Sequence, residues 1–115
     1  MKRKTIYEAM KTHVETTLNG LTAELISIGE DTSTDKETGE ITSFIKAEAE
    51  VPRGHDAFSR CRFTVKIIDG KLKVTETQLL ETDYFVKFKG LEISYIDTKV
   101  NFYFRASDYE VHADN

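Results

Sequence analysis

This chain of 115 residues has no tryptophan, one proline (Pro52), one cysteine (Cys61) and no long apolar run. A single cysteine rules out an intramolecular disulfide and suits a reducing compartment, so we expect a cytoplasmic protein. A bilayer-spanning helix needs about 20 consecutive apolar residues, so no membrane segment is predicted. The basic start MKRKTIYEAM is not followed by an apolar signal-peptide region, and secretion is therefore not expected.

The sequence also has few signs of catalysis or metal binding. Its three histidines are far apart and none has metal-ligand spacing to a second candidate ligand: His13, His55 and His112. There is no GxSxG motif, no phosphate-binding glycine loop and no dinucleotide fingerprint. Cys61 alternates with Phe63 on an apolar face, which predicts a buried and unreactive thiol. The acidic residues of 31–40 lack EF-hand spacing. We predict no catalytic residue, no metal and no cofactor, in a protein that is not an enzyme.

Charge is unevenly distributed along the chain, although the net charge is −4. Residues 21–58 carry nine acidic side chains and three basic ones, whereas residues 59–90 carry seven basic and four acidic ones. Such segregation permits a basic surface on a protein that is acidic overall.

Residues 5–18 have the pattern of an amphipathic helix. Thr5 is the predicted N-cap, with Glu8 at the capping-box position, and Asn19-Gly20 is the predicted end. The apolar stripe at helical spacing consists of Ile6, Met10, Val14, Thr17 and Leu18. We expect this helix to pack across the open end of a sheet; a partner-binding arm is the alternative.

The rest of the chain has the period-two alternation of β-strands. Strands are predicted over 21–28, 41–51, 60–68, 71–77 and 84–96, with a last strand ending near Ala106 and the polar segment 29–40 as an exposed hairpin tip. The alternation shifts after Leu25 and again at Gly90, which indicates bulges; Tyr95 is then predicted to face inward.

One helix followed by five or six strands with two bulges predicts a mainly β fold, a small antiparallel OB-like β-barrel. We expect a single domain, 1–115, with an N-terminal helix in 1–19, a barrel core in 20–111 and a frayed tail in 112–115.

Outward positions of the predicted strands combine aromatic and basic side chains, among them Lys46 beside Phe44. Cations neutralise phosphates and exposed aromatic rings stack bases with little regard to sequence, as single-strand binders require. The candidates for stacking are Phe44, Phe85 and Tyr103, and those for phosphate contact are Arg60, Arg62, Lys66, Lys73, Lys87, Lys89 and Arg105. An ordinary solvated sheet surface, with lysines that keep edges apart, is the alternative.

A first strand followed by STDKETGEITSF, and later YFVKFKGLEISYI and VNFYFRASDYEV, resembles small OB-fold single-stranded DNA-binding proteins of conjugative plasmids and integrative elements, of the YdcP-like and PrgE types. The resemblance covers roughly residues 20–111. It implies a cytoplasmic accessory protein that coats or guides single-stranded DNA during replication or transfer of a mobile genetic element, with a replication or transfer protein as a further partner. The chain departs from the simplest OB pattern because QLLETD leaves room for little more than a turn before the strand at Tyr84, and because the N-terminal helix lies outside a minimal OB core.

The acid-rich segment 21–58 supports a different function. A phage- or plasmid-encoded inhibitor could use this acidic surface to occupy the basic channel of a host nucleic-acid enzyme. A third alternative is a structural module that forms a homo-oligomer through unpaired strand edges. Loss of Arg105 or Lys87 would weaken a DNA binder, whereas an inhibitor would depend on its acidic hairpin.

Overall fold

The computed structural model describes residues 5–54, 58–68, 70–99 and 102–114, apart from the side chain of Tyr7. The fold is mainly β, a seven-stranded mixed sheet with an N-terminal helix and a short second helix. In chain order the elements are α1 (Ile6–Leu18), β1 (Thr22–Thr34), β2 (Ile41–Glu50), β3 (Arg62–Ile68), α2 (Glu76–Glu81), β4 (Tyr84–Lys89), β5 (Glu92–Ile96), β6 (Phe102–Ala106) and β7 (Asp108–Ala113). In the described part of the chain, neither helix has the length and apolar character needed to cross a membrane.

Helix α1 begins and ends at the predicted residues. The Thr5 hydroxyl accepts a hydrogen bond from the Glu8 N–H at 3.0 Å, which satisfies one of the helix's unpaired N-terminal donors. At the other end the Asn19 side chain donates to the Leu91 carbonyl at 2.7 Å and accepts from the Leu91 N–H at 2.8 Å. This two-way contact fixes the end of α1 beside the start of β5.

The apolar stripe of α1 is only partly covered. Val14 and Leu18 are buried, as expected for a helix that packs on the sheet. Met10 and Ile6, one and two turns before Val14, are 45% and 82% exposed. The helix therefore covers the sheet with its C-terminal half.

The strands lie in the order β5-β6-β3-β2-β1-β4-β7. Five of the pairings are antiparallel, but β3 and β6 pair in parallel. The prediction of an antiparallel barrel is therefore wrong at this pair. Parallel neighbours need a long crossover, and α2, β4 and β5 together provide one.

β1 bulges where its alternation shifts, as predicted, between Leu25 and Ser27. It continues to Thr34, beyond the predicted end at residue 28, and pairs with β2 along its whole distal part. The polar composition of this segment predicts exposure, but polar residues can still pair in a two-stranded ladder. Only residues 35–40 form the turn. Every side chain from 30 to 43 is exposed, and we call this segment the β1–β2 ribbon.

The strand predicted over 71–77 is absent, and α2 begins at Glu76 instead. Thr75 caps it with a complete capping box, in which the Gln78 side chain accepts from the Thr75 N–H at 2.9 Å. The Thr75-x-x-Gln78 spacing was present in the sequence, but the alternation of Leu72 and Val74 favoured a strand. Val74 is buried, as that alternation indicated, but it lies in a loop rather than in a strand.

Two long strands bend at the same level, β4 into β5 at Gly90 and β6 into β7 at Ser107. Gly90 has a φ of +64°, and a Cβ at this position would lie 2.6 Å from the Ser107 Oγ, so no larger residue fits without rearrangement. The Ser107 N–H and hydroxyl both donate to the Lys89 carbonyl, at 2.9 and 3.0 Å. The bulge predicted at Gly90 is a corner shared by both strands.

β7 corrects the prediction that the last strand ends near Ala106 and that residues 112–115 fray. It runs to Ala113 and pairs with β4 from Lys89↔Asp108 to Tyr84↔Ala113. Its Tyr109 is fully buried, and the hydroxyl donates to the Lys71 carbonyl and accepts from the Lys73 N–H at 2.8 Å. Burial raises the pKa of Tyr109, which stays a neutral donor that closes the loop after β3. Asn115 lies outside the described residues.

The core contains the inward side chains of all seven strands, and the ring of Phe63 packs edge-on to Phe88 and Phe104 at 5.8 and 5.6 Å. Two predicted inward residues are not in it. Cys61 precedes β3 and is exposed. Tyr95 is 58% exposed because the β5–β6 register shifts between Ile93 and Tyr95 and turns the ring outward.

Candidate nucleic-acid interface

Four adjacent strands, β2, β3, β6 and β5, carry the surface that we call the central face, formed by their outward side chains. Lys46 pairs with Lys66 across β2 and β3, and Lys66 pairs with Arg105 across β3 and β6. Neighbouring strands lie about 4.8 Å apart, so these cations form one row perpendicular to the strands. Glu92 of β5 ends the row with an ion pair to Arg105.

Two tyrosines form an aromatic platform on the central face. The rings of Tyr95 and Tyr103 are stacked, with centroids 5.7 Å apart and an angle of 29° between their planes. The Tyr103 hydroxyl donates to the Asp97 Oδ2 at 3.2 Å, and this hydrogen bond to a carboxylate raises the pKa of Tyr103. The phenol thus stays neutral at physiological pH, and 44% of Tyr103 remains exposed for a further ring to stack on.

Phe44 marks the other end of the face. Its half-buried ring lies beneath the Lys66 ammonium, whose Nζ is 4.2 Å from the ring centroid, a cation–π contact. Between Phe44 and Tyr103 a groove of about 270 Å³ crosses the strands, and Asp31, Lys46, Thr64 and Ser94 also line it. The groove therefore has cations along its length and an aromatic ring at each end.

Arg60 and Arg62 lie beside β2, where both contact the carboxylate of Glu50. Arg60 Nε is 3.3 Å from Oε2, and Arg62 Nε is 3.1 Å from Oε1. Arg62 also lies 3.7 Å from Glu48. Glu50 is only 9% exposed, and burying a carboxylate without cationic partners is costly. Both arginines thus have a structural role, and phosphate contact by them stays a prediction.

The other predicted residues lie on what we call the β4–β7 surface: Phe85, Lys87 and Lys89 of β4, with Lys73 from the loop before α2. β4 pairs with β1 and β7 and has no described ladder to the strands of the central face. The ten predicted residues are therefore not brought together as one surface. Phe44, Arg62, Lys66, Tyr103 and Arg105 share the central face, where Arg62 is held by Glu50.

Two of the three lysines of the β4–β7 surface, Lys73 and Lys89, contact carboxylates of β7. Lys89 Nζ lies 2.8 Å from Glu110, and Lys73 Nζ lies 3.1 Å from Asp108 while also contacting the Tyr109 carbonyl. The hydrogen bond from Lys89 lowers the pKa of Glu110 and raises the pKa of Lys89. The Tyr109 N–H, and then Lys73, lower the pKa of Asp108.

Sequence reasoning missed two side chains of the central face. Lys46 is outward in the predicted strand, but only its register opposite Lys66 makes it part of a row. By alternation alone Tyr95 falls on the inward face, and only the register shift in β5 places its ring on the outward face. Neither signal can be read from the alternation of one strand alone.

No cluster of metal-ligating side chains occurs within the residues the structure describes. His13 packs against the ring of Phe58 with centroids 5.7 Å apart, and His112 lies 3.9 Å from Glu110 on the surface. His55 lies outside the described residues.

Comparisons with protein-family models, with curated proteins and with solved structures give no match for this chain. The resemblance to OB-fold single-stranded DNA-binding proteins therefore stays a prediction from the sequence.

Proposed function

We propose that this chain binds single-stranded DNA on the central face and has no catalytic activity. The observation that carries the proposal is the row of Lys46, Lys66 and Arg105 across three strands, with Phe44 on one side and the Tyr95–Tyr103 platform on the other. Cations in a row can follow a phosphate backbone while exposed rings stack its unpaired bases.

We further propose that the sheet is an OB-like barrel. The strand pairings support a closed circuit. β1 pairs with both β2 and β4, β2 pairs with β3, and β3 pairs with β6. β6 also pairs with β5, and β5 continues β4 through the corner at Gly90, which brings the circuit back to β4. OB folds are partly open five-stranded Greek-key barrels that bind oligonucleotides on one face. α2 also supplies a helix between the third and fourth strands, where the sequence alone left room for little more than a turn.

Single-stranded rather than double-stranded DNA is the better ligand for this surface. A helix or a two-stranded ribbon is needed to enter the major groove of a duplex. The β1–β2 ribbon has the right shape, but its side chains include five carboxylates and one lysine, which would repel the phosphates on both sides of the groove.

The resemblance stated for the sequence leads us to propose a biological role as well. We propose a cytoplasmic accessory protein of a mobile genetic element that coats or guides DNA strands during replication or transfer, beside a replication or transfer protein. Self-association along the strand would be compatible with such a role.

The β1–β2 ribbon supports a second candidate function. All its side chains are exposed and its net charge is strongly negative, so it suits insertion into a basic nucleic-acid channel of a host enzyme. In this alternative the chain is a phage- or plasmid-encoded inhibitor. Neutralising the ribbon carboxylates that lie away from the central-face groove, Asp35, Glu37 and Glu40, would then abolish inhibition without changing DNA affinity.

Fluorescence anisotropy with a labelled dT oligonucleotide of about 30 nucleotides, titrated at low and moderate salt beside a duplex of equal length, tests the main proposal. We expect binding that favours the single strand, with log K falling against log[salt] by about 0.7 for each phosphate neutralised. Absence of binding to either ligand at micromolar protein would overturn it and make the inhibitor hypothesis the leading one.

A further inference from the structure

A second groove opens where the parallel ladder begins. The pairing of β3 with β6 starts at Thr64↔Tyr103. Phe63 and Phe102, one residue earlier on each side, are therefore not paired with each other. The space at this point is a groove of about 480 Å³ with mainly apolar walls, to which Val14 and Phe58 also contribute. Its volume is within the range of small-molecule sites.

Aromatic rings with partly exposed surfaces line this groove. Phe58 and Phe102 are both half-buried, and Phe102 stacks on Phe104 with centroids 6.4 Å apart and an angle of 30°. Flat apolar walls of this kind favour a planar ring as the occupant, because aromatic rings gain from offset stacking as well as from burial.

The groove is continuous with the central face and has a cation beside it. Thr64 and Tyr103 line both the groove that crosses the central face and this one. Arg62, whose side chain is 59% exposed, is also in its lining. A DNA strand bound on the central face would therefore bring its next base to the opening of this groove.

We propose that this groove receives one unpaired nucleobase of the strand bound on the central face. The inference rests on the proposed function and adds to it a reason for selecting single strands. A base in a duplex is paired and stacked, so it cannot enter an apolar groove without first leaving the helix.

Cys61 is a built-in reporter of this occupancy, because it is exposed, lines the groove and is the chain's one cysteine. The experiment measures the rate of Cys61 alkylation by iodoacetamide with and without dT oligonucleotide, while anisotropy measures the fraction of protein bound. An abasic oligonucleotide of equal length, which keeps the phosphates, is the matched ligand. We expect dT to slow alkylation in proportion to occupancy, and the abasic strand to leave the rate unchanged at equal occupancy.

The possible contrary results are distinguishable. An unchanged alkylation rate at saturation with dT, or equal protection by the abasic strand, would overturn the inference while leaving the proposed function in place. Absence of binding by anisotropy would overturn both. Protection that depends on protein concentration and not on DNA would mean that a second copy of the chain fills the groove, and would also overturn the inference.

A variant gives an independent measurement. Phe102→Leu keeps an apolar side chain against the core but removes the ring, so we expect about tenfold weaker binding of dT and unchanged binding of the abasic strand. Thermal unfolding of the variant establishes that it is folded. If it is not, Cys61 protection in the unaltered protein decides the question. Equal affinity of the folded variant for dT would overturn the inference.

Discussion

The central face and the β4–β7 surface have similar alternations of aromatic and basic residues but place their lysines in different surroundings. Lys46 and Lys66 form no salt bridge with any residue described, whereas two of the three lysines on the β4–β7 surface, Lys73 and Lys89, each contact a carboxylate of β7. An exposed ion pair adds little stability, but it leaves the cation less available, because a phosphate must displace the carboxylate. The strand that lies beside a basic residue, rather than the residue itself, decides what that residue can bind.

Charge reversal tests this difference most directly. We expect the double variant Lys46→Glu/Lys66→Glu to lose single-stranded DNA affinity by roughly two orders of magnitude, because two attractive contacts become repulsive. The slope of log K against log[salt] should become shallower by about 1.4. Anisotropy at several salt concentrations measures both.

The matched control is Lys73→Glu/Lys89→Glu, which changes the net charge equally on the β4–β7 surface. We expect a change in affinity of no more than about threefold, from the overall charge alone. Equal losses in the two double variants would mean that the difference between the surfaces has no bearing on binding.

Removal of a stacking ring should have the next largest effect. We expect Tyr103→Ala to bind dT about tenfold more weakly, because one base loses its platform, while Tyr103→Phe keeps near-normal affinity. Phe85→Ala provides the comparison on the β4–β7 surface and should bind normally. Urea unfolding monitors stability, and normal affinity in Tyr103→Ala would contradict the assignment of the platform.

Glu92 sharpens the comparison within the central face itself. Because Glu92 occupies Arg105, we expect Glu92→Gln to raise DNA affinity by about threefold, the scale of a weak exposed ion pair. Glu110→Gln releases Lys89 on the other surface and should leave affinity unchanged. A gain in Glu110→Gln equal to that in Glu92→Gln would indicate a general effect of charge.

The smallest effect concerns the pH dependence of stability. The folded-state pKa values of Asp108 and Glu110 are lowered from 3.8 and 4.5, so their ion pairs stabilise the fold above these values and lose that contribution as the pH falls through the folded pKa. The pKa of Lys89 is raised from 10.5, so its contribution is complete below that pH and lost as the pH rises through the folded value.

We therefore expect Glu110→Gln to melt slightly below the unaltered protein at neutral pH, with the difference shrinking in acid as the pH falls through the lowered pKa of Glu110. Thermal unfolding at neutral pH and along an acid series measures it. A difference that persists undiminished in acid would show that Glu110 stabilises the fold by something other than charge.

Local patterns in the sequence predicted local features well. The cap at Thr5, the bulge after Leu25, the buried side of β2 and the corner at Gly90 each follow from a few adjacent residues. The Thr75 capping box was equally local, but alternation of the residues before it suggested a strand. Competition between two local signals, rather than a lack of signal, accounts for that error.

Features that depend on distant residues could not be predicted. The parallel contact of β3 with β6, the pairing of β7 with β4 and the exposure of Tyr95 are set by which strands meet and in what register. Alternation indicates that Lys66 and Arg105 face outward, but not that they are neighbours. The composition of the candidate site could thus be read in part from the sequence, whereas its boundary could not.

The parallel pairing of β3 with β6 also has a consequence for the order of folding. β1, β2 and β3 can assemble from near neighbours, but β6 reaches β3 only after α2, β4 and β5 have been made and the long loop between them has closed. During synthesis, a chain that ends before β6 has Lys46 and Lys66 but neither Arg105 nor Tyr103. The surface that we propose for DNA is therefore incomplete until β6 has been made, and only β7 is added after it.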